Sequence, residues 1–534
     1  MAKENIIHSY PHCWRCKNPI IYRATEQWFC SVDAIKEAAI AACDEIQWKP
    51  EWGKERMISM IAERNDWCIS RQRVWGVPIP IFYCDECGKD IVTPETIDHV
   101  ANLFAEHSSN IWFEKEADEL VPNGFVCPHC GGVHFSKETD IMDVWFDSGS
   151  THAGVLDARD YLNFPADVYL EGGDQYRGWF QSSMLTSITA KGVAPYKQII
   201  THGWTVDGEG KAMHKSLGNT VAPEEVIKDY GADMLRLWVS STDYTQDVRI
   251  SKDIMKQLSQ AYLKIRNTAR YMLGNLCDFN PDTDMVAVEN MESLDRFALH
   301  TFNELAQSIR EAYNRYEFHT VYRSLYNYCV IDLSNFYFDI IKDRLYCDND
   351  ALRRSAQSAL YVILDGMTRM LAPVLAFTSD EIWAEMKHAV GVNAESVLLN
   401  DMPEYNAAYV LSAEELERWN KLIALRDTVN KALENARSAG VFKKAQDTEV
   451  TISVEHAADA ELLSCVDLAS LCIVSKVTVT TDAVEGEKMT DGAIPCTIAV
   501  KLSEAPKCPR CWNHHDHVDE NGLCPRCAAV VNAQ

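Results

Sequence analysis

The sequence predicts an α/β chain: half of a Rossmann-like unit, then an α-helical bundle, a small α+β region and a C-terminal zinc knuckle. Three observations carry this. Between Asp167 and Asn219 an apolar run, a helical segment and a second apolar run follow one another and end in a polar, glycine-bearing loop. Beyond about Leu258 apolar residues recur at helical spacing with no two-residue period. At the tail, Cys508-Pro509-Arg510-Cys511 and Cys524-Pro525-Arg526-Cys527 stand twelve residues apart, a spacing at which four thiolates close a zinc site.

The central stretch is the most informative. Val168-Tyr169-Leu170 reads as a buried strand and Tyr176 to Phe180 as the head of an apolar helix. Gln198-Ile199-Ile200-Thr201 reads as a second strand, running into His202-Gly203-Trp204. In doubly wound nucleotide-binding folds, ligands sit beyond the carboxyl ends of the strands. Those ends here carry Glu171, Gly172, Asp174, Gln175 and His202, and the loop after the second strand carries Lys211 and Lys215. Neither loop matches a simpler motif. Gly208 to Ser216 lacks the phosphate-loop spacing, and Gly172-Gly173 lacks the three glycines of a dinucleotide fingerprint. Alone, each would be an ordinary turn.

At 534 residues the chain is long enough for three or four domains, and 47% apolar residues fill several cores. The net charge of −27 argues mildly against a nucleic-acid binder, although it does not say where the basic residues cluster. No apolar run reaches membrane-spanning length, and Met1 to Asn5 has no signal-peptide core. Ten of the nineteen cysteines fall in five Cys-x-x-Cys pairs, which points to metal in a reducing, cytoplasmic compartment rather than to disulfides.

In chain order, Cys13 and Cys16 have the spacing of half a metal site, or are two thiols on a turn. Helices are expected from Ala34 to Ile46 and from Glu55 to Glu63. The segment Trp67 to Pro78 sets Arg71 and Arg73 beside Trp67 and Trp75, where arginines could hold phosphates and tryptophans could stack or pack. Cys84, Cys87, Cys127 and Cys130 bracket an insertion with too little core of its own, so their zinc is read as structural. Pro223 opens a helix where its missing N–H costs nothing. Amphipathic helices, including Ala356 to Met370 and Ser379 to Lys387, then form a bundle. A further helix spans Trp419 to Ala439. Alternating runs at Val450–Val454 and Val477–Thr480 suggest a small sheet, and Asp482 to Glu487 a solvated loop. In the knuckle, His514, His515 and His517 are possible substitute ligands but are expected in a solvent loop. Lys501, Lys507, Arg510 and Arg526 are either phosphate contacts or surface charge.

The run Leu170 to Phe180 and the tail Ala212-Met213-His214-Lys215-Ser216 together resemble the class I aminoacyl-tRNA synthetases, the latter their lysine-bearing signature loop. The run Leu170 to Phe180 is similar to the isoleucyl version rather than to the valyl or leucyl one. The segments Trp67 to Pro78 and Asp140 to His152 are similar to the same family, as is the knuckle, and the likeness runs from end to end. It implies ATP-dependent activation of isoleucine to its adenylate and transfer to tRNA(Ile), with Mg2+ accompanying ATP. It implies that Lys215 neutralises phosphate charge, that Glu171, Asp174 and Gln175 accept from the amino group and ribose, and that Gly172 admits the adenylate. Trp145 and Trp179 would wall the amino-acid pocket, and His202 would border the adenosine. By the same resemblance, 1–83 leads from an editing domain into the catalytic core, 84–139 is the zinc-bound insertion and 140–250 the second catalytic half. Residues 251–400 are the anticodon-binding bundle, 401–500 a helix and small α+β region, and 501–534 the knuckle.

Two departures stand out. Ala212 occupies the usual first lysine position and His214 replaces a serine, so Lys211 is a candidate substitute. The family's histidine-bearing motif and its editing domain are absent from the chain. The expectation is a usually monomeric enzyme whose front half, together with the partner of Cys13 and Cys16, comes covalently or in trans, the chain alone forming no adenylate. The rivals are a non-catalytic tRNA-binding piece and a valyl-type relative. A zinc enzyme is disfavoured, because four thiolates leave no open position for water.

Overall fold

The computed structural model describes residues 4, 6–13, 16–214, 217–490 and 492–532. Lys215 and Ser216 therefore lie outside the described residues. The chain divides into two compact units, Met1–Trp204 and Thr205–Gln534.

The first unit is built on a parallel three-stranded sheet. Its strands are β1 (Gln47–Lys49), β2 (Tyr169–Gly172) and β3 (Gln198–His202), in the order β1-β3-β2. Helices α1 (Asp33–Ala42), α2 (Trp52–Ala62) and α3 (Trp179–Lys191) supply Ala39, Met57, Ile61, Phe180, Met184 and Ile188 to a core shared with Tyr169 and Ile199. Three readings change here. The first strand starts at Tyr169 and alternates: Tyr169 is buried, whereas Leu170 is 54% exposed. A three-residue apolar run cannot tell one covered face from two. The helix expected to reach Ile46 stops at Ala42, and a 3-10 turn over Cys43–Glu45 leads into β1. Residues 33–62, expected to lie in a linker, instead supply an edge strand of the sheet and two of its helices.

The insertion forms a separate lobe of this unit. Strands Phe82–Cys84, Asp90–Ile91 and Phe135–Lys137 pair antiparallel. The helix Pro94–His107 starts at Thr93, whose hydroxyl and that of Thr96 form a reciprocal cap. Phe82, Ile91, Val100, Trp112, Leu120 and Phe135 are buried together, so the lobe has a core that the sequence reading denied it.

The second unit is mainly helical. Helices Lys252–Asn275, Ser293–Asn314, Phe318–Asn327, Phe338–Cys347, Asp350–Leu371 and Ala376–Ala384 form the bundle, with a π-helical stretch over Tyr328–Tyr337. Val226, Met234, Leu237, Trp238 and Ile250 belong to the bundle's core. The division between the compact units, at 204/205, thus lies inside the stretch 140–250 that the sequence reading took as one region. At the bundle's centre the fully buried Asp295 accepts from Arg344 at 2.7 and 2.9 Å, from Tyr337 at 2.7 Å and from Ser355 at 2.6 Å. That many donors are what a buried carboxylate requires. After the helix Ala413–Ser438, capped by Ser412 and Glu415, comes a four-stranded sheet. Its order is Lys476–Thr480, Thr448–Val454, Cys496–Leu502, Glu487–Met489. Its last two strands escaped the sequence reading. No helix among the described residues is long and apolar enough to cross a membrane.

Candidate active site and metal centres

In the first unit, β2 and β3 run parallel in a register that sets Glu171 opposite Thr201 and Gly172 opposite His202. Both chains leave the sheet there, at the carboxyl edge where this fold class binds ligands. From Gly172 the chain makes a 3-10 turn over Gly173–Tyr176 and enters α3. Tyr176 pins the turn from below: it is buried, and its hydroxyl meets Thr201 Oγ1 at 2.9 Å. Burial raises the Tyr176 pKa, so the phenol stays neutral.

The lip above is contiguous. Gln175 Oε1 accepts from Trp179 N at 2.9 Å and so caps α3, while its amide donates to Asp174 Oδ2 at 2.9 Å. A Cβ on Gly178 would stand 2.4 Å from that amide oxygen and 3.0 Å from the Trp145 ring. A Cβ on Gly172 would stand 2.9 Å from Asp174 Oδ1 and 3.4 Å from the Trp204 ring. Trp145, Gly178, Gln175, Asp174, Gly172 and Trp204 thus adjoin one another, with His202 in register beside them. His202 Nδ1 lies 2.7 Å from the Gly203 carbonyl.

Two expectations are modified. Gln175 spends its oxygen on the helix end, so its part is to hold Asp174 and the head of α3. Trp179 is stacked on Tyr169 at 4.0 Å between centroids, and its indole N–H bonds Ser148 at 2.9 Å. Trp145 is 41% exposed and carries an open face. Its short helix, Val144–Gly149, begins at the buried Asp143. That carboxylate also accepts from Trp67 Nε1 at 3.0 Å and Arg71 at 2.9 Å. Trp67 and Arg71 are therefore packing and bracing residues, whereas Trp75 is 91% exposed. Trp204, quoted in the sequence but given no role, is the residue the reading missed. Its signal was position, two residues past the end of β3.

In the second unit the turn over residues 206–212, closed by a bridge between Val206 and Ala212, is organised by two side chains. Asp207 accepts from the backbone of Glu209 and Lys211 and from Asn219 Nδ2, at 3.0, 2.8 and 2.8 Å. Asn219 in turn accepts from His214 N and donates to the Ala212 carbonyl. These donors, the Asn219 amide first, hold the Asp207 carboxyl below the usual range. Met213 packs against the bundle core. Lys211 is exposed and pairs with Glu209 at 2.8 Å, a contact that competes weakly with any phosphate.

Two sets of four cysteines can each hold a metal: Cys84, Cys87, Cys127 and Cys130, and Cys508, Cys511, Cys524 and Cys527. Sulfur separations of 3.5, 3.8 and 3.9 Å occur within them. Tetrahedral zinc with bonds of about 2.3 Å places its sulfurs about 3.8 Å apart, so both sets fit that ion. Each set divides, with burial raising Cys84 and Cys511 while backbone N–H groups lower one thiol. Burial pushes the Cys508 thiol up, but the amides of Cys511, Cys524 and Arg510 outweigh it and bring the pKa to about 6. Cys127 reaches about 6 in the same way, through the amides of His129 and Cys130. Neither set includes Cys13 or Cys16.

The basic residues of the knuckle are committed internally. Lys501 pairs with Glu449, Lys507 with Asp447, and Arg526 with Asp343 and Asp348. His514 bonds the Ala505 carbonyl and Asp447, and His515 lies 3.5 Å from Cys511 Sγ, so neither is a free loop residue.

Comparison with known proteins agrees with this architecture. The family profile described as tRNA synthetases class I (I, L, M and V) matches residues 12–251, and that of the anticodon-binding domain of tRNA ligase matches 295–452. The isoleucine–tRNA ligase of Caldicellulosiruptor saccharolyticus is 49% identical over 541 residues, covering 100% of this chain and 58% of the relative. That of Syntrophotalea carbinolica is 50% identical over 543 residues, covering 99% and 58%. Among solved structures, methionyl-tRNA synthetase of Mycobacterium tuberculosis in complex with methionyl-adenylate superposes with a TM-score of 0.51 at 17% identity. It covers 70% of this chain and 65% of that one, a likeness of fold. The chain belongs to the class I tRNA synthetases, on their isoleucine–tRNA ligase branch, and spans 58% of the length of those curated relatives.

Proposed function

We propose that this chain carries the second half of the catalytic domain and the tRNA-reading part of an isoleucine–tRNA ligase. The observation that carries the reading is the register pair Gly172–His202 at the carboxyl edge, with Asp174 held beside it by Gln175. The ligand proposed there is isoleucyl-adenylate, the counterpart of the methionyl-adenylate held by the mycobacterial enzyme. In the first step the isoleucine carboxylate attacks the α-phosphate of ATP and pyrophosphate leaves. The chain's own contribution is position and charge. Glu171 and Asp174 accept from the substrate's amino group and ribose hydroxyls, Gly172 lets the backbone approach, His202 borders the adenosine, and Trp145 faces the side chain. Lys215 neutralises phosphate charge as the bond to pyrophosphate breaks, a task for an ammonium on a long stem. Mg2+ would accompany ATP. Zinc at both cysteine sets would be structural, and the helical bundle would meet tRNA(Ile). Cysteines grouped in metal-binding fours suit a reducing cytoplasm.

The test is isoleucine-dependent exchange of pyrophosphate into ATP. The 534 residues alone are expected to give none. Mixed with the front portion of a curated relative, they are expected to exchange with isoleucine well above valine. A folded mixture that binds tRNA(Ile) without exchanging would overturn the ligase reading in favour of a non-catalytic tRNA-binding piece.

A further inference from the structure

The two arginines of the C-terminal knuckle face the bundle. Arg526 meets Asp343 through both terminal nitrogens, one of them at 2.9 Å, and reaches Asp348 at 3.2 Å. Arg510 donates to the carbonyls of Cys347 and Tyr346, in the last turn of the helix Phe338–Cys347. The same guanidinium lies 3.5 Å from Cys527 Sγ, one of the four cysteines. It therefore touches both a metal-binding sulfur and the negative end of a helix dipole. Cys347 Sγ answers with a contact to the Arg510 carbonyl at 3.5 Å.

Among the described residues, the apolar cluster at this seam is Cys347, the four cysteines and Leu523. Clefts of about 910 Å³ and about 610 Å³ adjoin the seam, and Tyr346, Arg510 and Arg526 line both. With so little apolar surface to bury, the seam rests on charge-assisted hydrogen bonds.

We infer that the knuckle is a metal-dependent clamp on the C-terminal end of the helix Phe338–Cys347, with Arg510 and Arg526 as its positioning residues. Each arginine sits inside one Cys-x-x-Cys turn. Both reach the helix together only while the two turns are held face to face, and four thiolates on one ion hold them so. The coupling is reciprocal: zinc steadies the helix end, and the helix end tightens zinc. The inference rests on the four cysteines taking zinc.

The experiment uses the full chain, with zinc content by atomic emission and hydrogen exchange of peptides covering 338–350 and 508–532. Chelation is expected to speed exchange in both, about tenfold or more in 338–350, and returned zinc to restore it. Arg526→Met should keep its zinc and still speed exchange in 338–350. Asp343→Asn, changed on the helix side, should make one of the zinc equivalents leave faster for a chromophoric chelator. If zinc is bound and neither its removal nor Arg526→Met alters exchange in 338–350, the clamp is wrong. If cysteines 508–527 take up no zinc, the metal reading of the knuckle itself fails, and the clamp falls with it.

Discussion

Gly178 shows how closely the candidate site is fitted. It stands between the capping oxygen of Gln175 and the Trp145 ring, with no room for a methyl group. Gly178→Ala should displace one of them. Overpacking at this tightness costs roughly 1–3 kcal/mol, readable as a lower denaturant midpoint at constant slope. If the midpoint holds, the lip is looser than the geometry says. The signature loop offers a second test at this scale, in the reconstituted activity assay. Lys215→Ala should lower activation by about a hundredfold or more, as the loss of a group stabilising transition-state charge does. Lys211→Ala should also lower it if that residue stands in for the lysine that Ala212 replaces. An unchanged rate for Lys211→Ala would remove it from the site. The residues of the lip were legible because their chemistry is local: Glu171, Asp174 and His202 sit at strand ends that hydrophobic runs announce. The fate of Gln175 was not legible, since a helix cap and a substrate contact use the same amide.

Elements were legible in proportion to their period. The bundle helices repeat apolar residues over many turns, so their existence was legible, although Asp350–Leu371 begins six residues before the expected Ala356. Gln47–Lys49 was not legible. Three residues with two polar ends carry no period, and only the partners Gln198 to Ile200 make them a strand. The turn over residues 206–212 is another element held by partners rather than pattern, and its order should depend on pH. Asp207 has its folded pKa depressed by the Asn219, Lys211 and Glu209 N–H groups. The contribution to order is therefore present above the unfolded value, near 3.9, and is lost as pH falls through the lower folded value. The Lys211 amide resonance should stay constant from neutral pH down to about 4 and move below it. In Asp207→Asn it should sit at a displaced position at neutral pH. A Lys211 amide that titrates near pH 6 would point to a different organiser.

For the whole molecule, the two cysteine sets look alike in sequence but answer to different cores, and that difference decides what metal removal does. The set at Cys84, Cys87, Cys127 and Cys130 closes a lobe whose buried residues include Phe82, Ile91, Trp112, Leu120 and Phe135. Among the described residues, the apolar cluster around Cys508, Cys511, Cys524 and Cys527 consists of those thiols, Cys347 and Leu523. A domain with an apolar core keeps part of its stability without metal, whereas one whose core is its ligands folds with the metal or not at all. Cys84→Ser should therefore cost the insertion stability yet leave the amides of Phe82–Cys84 and Phe135–Lys137 protected from exchange. Cys508→Ser should expose the amides of 508–532 completely. Equal loss of protection in the two regions would mean that the insertion's apolar cluster does not hold it together, and that the zinc there does the same work as in the knuckle.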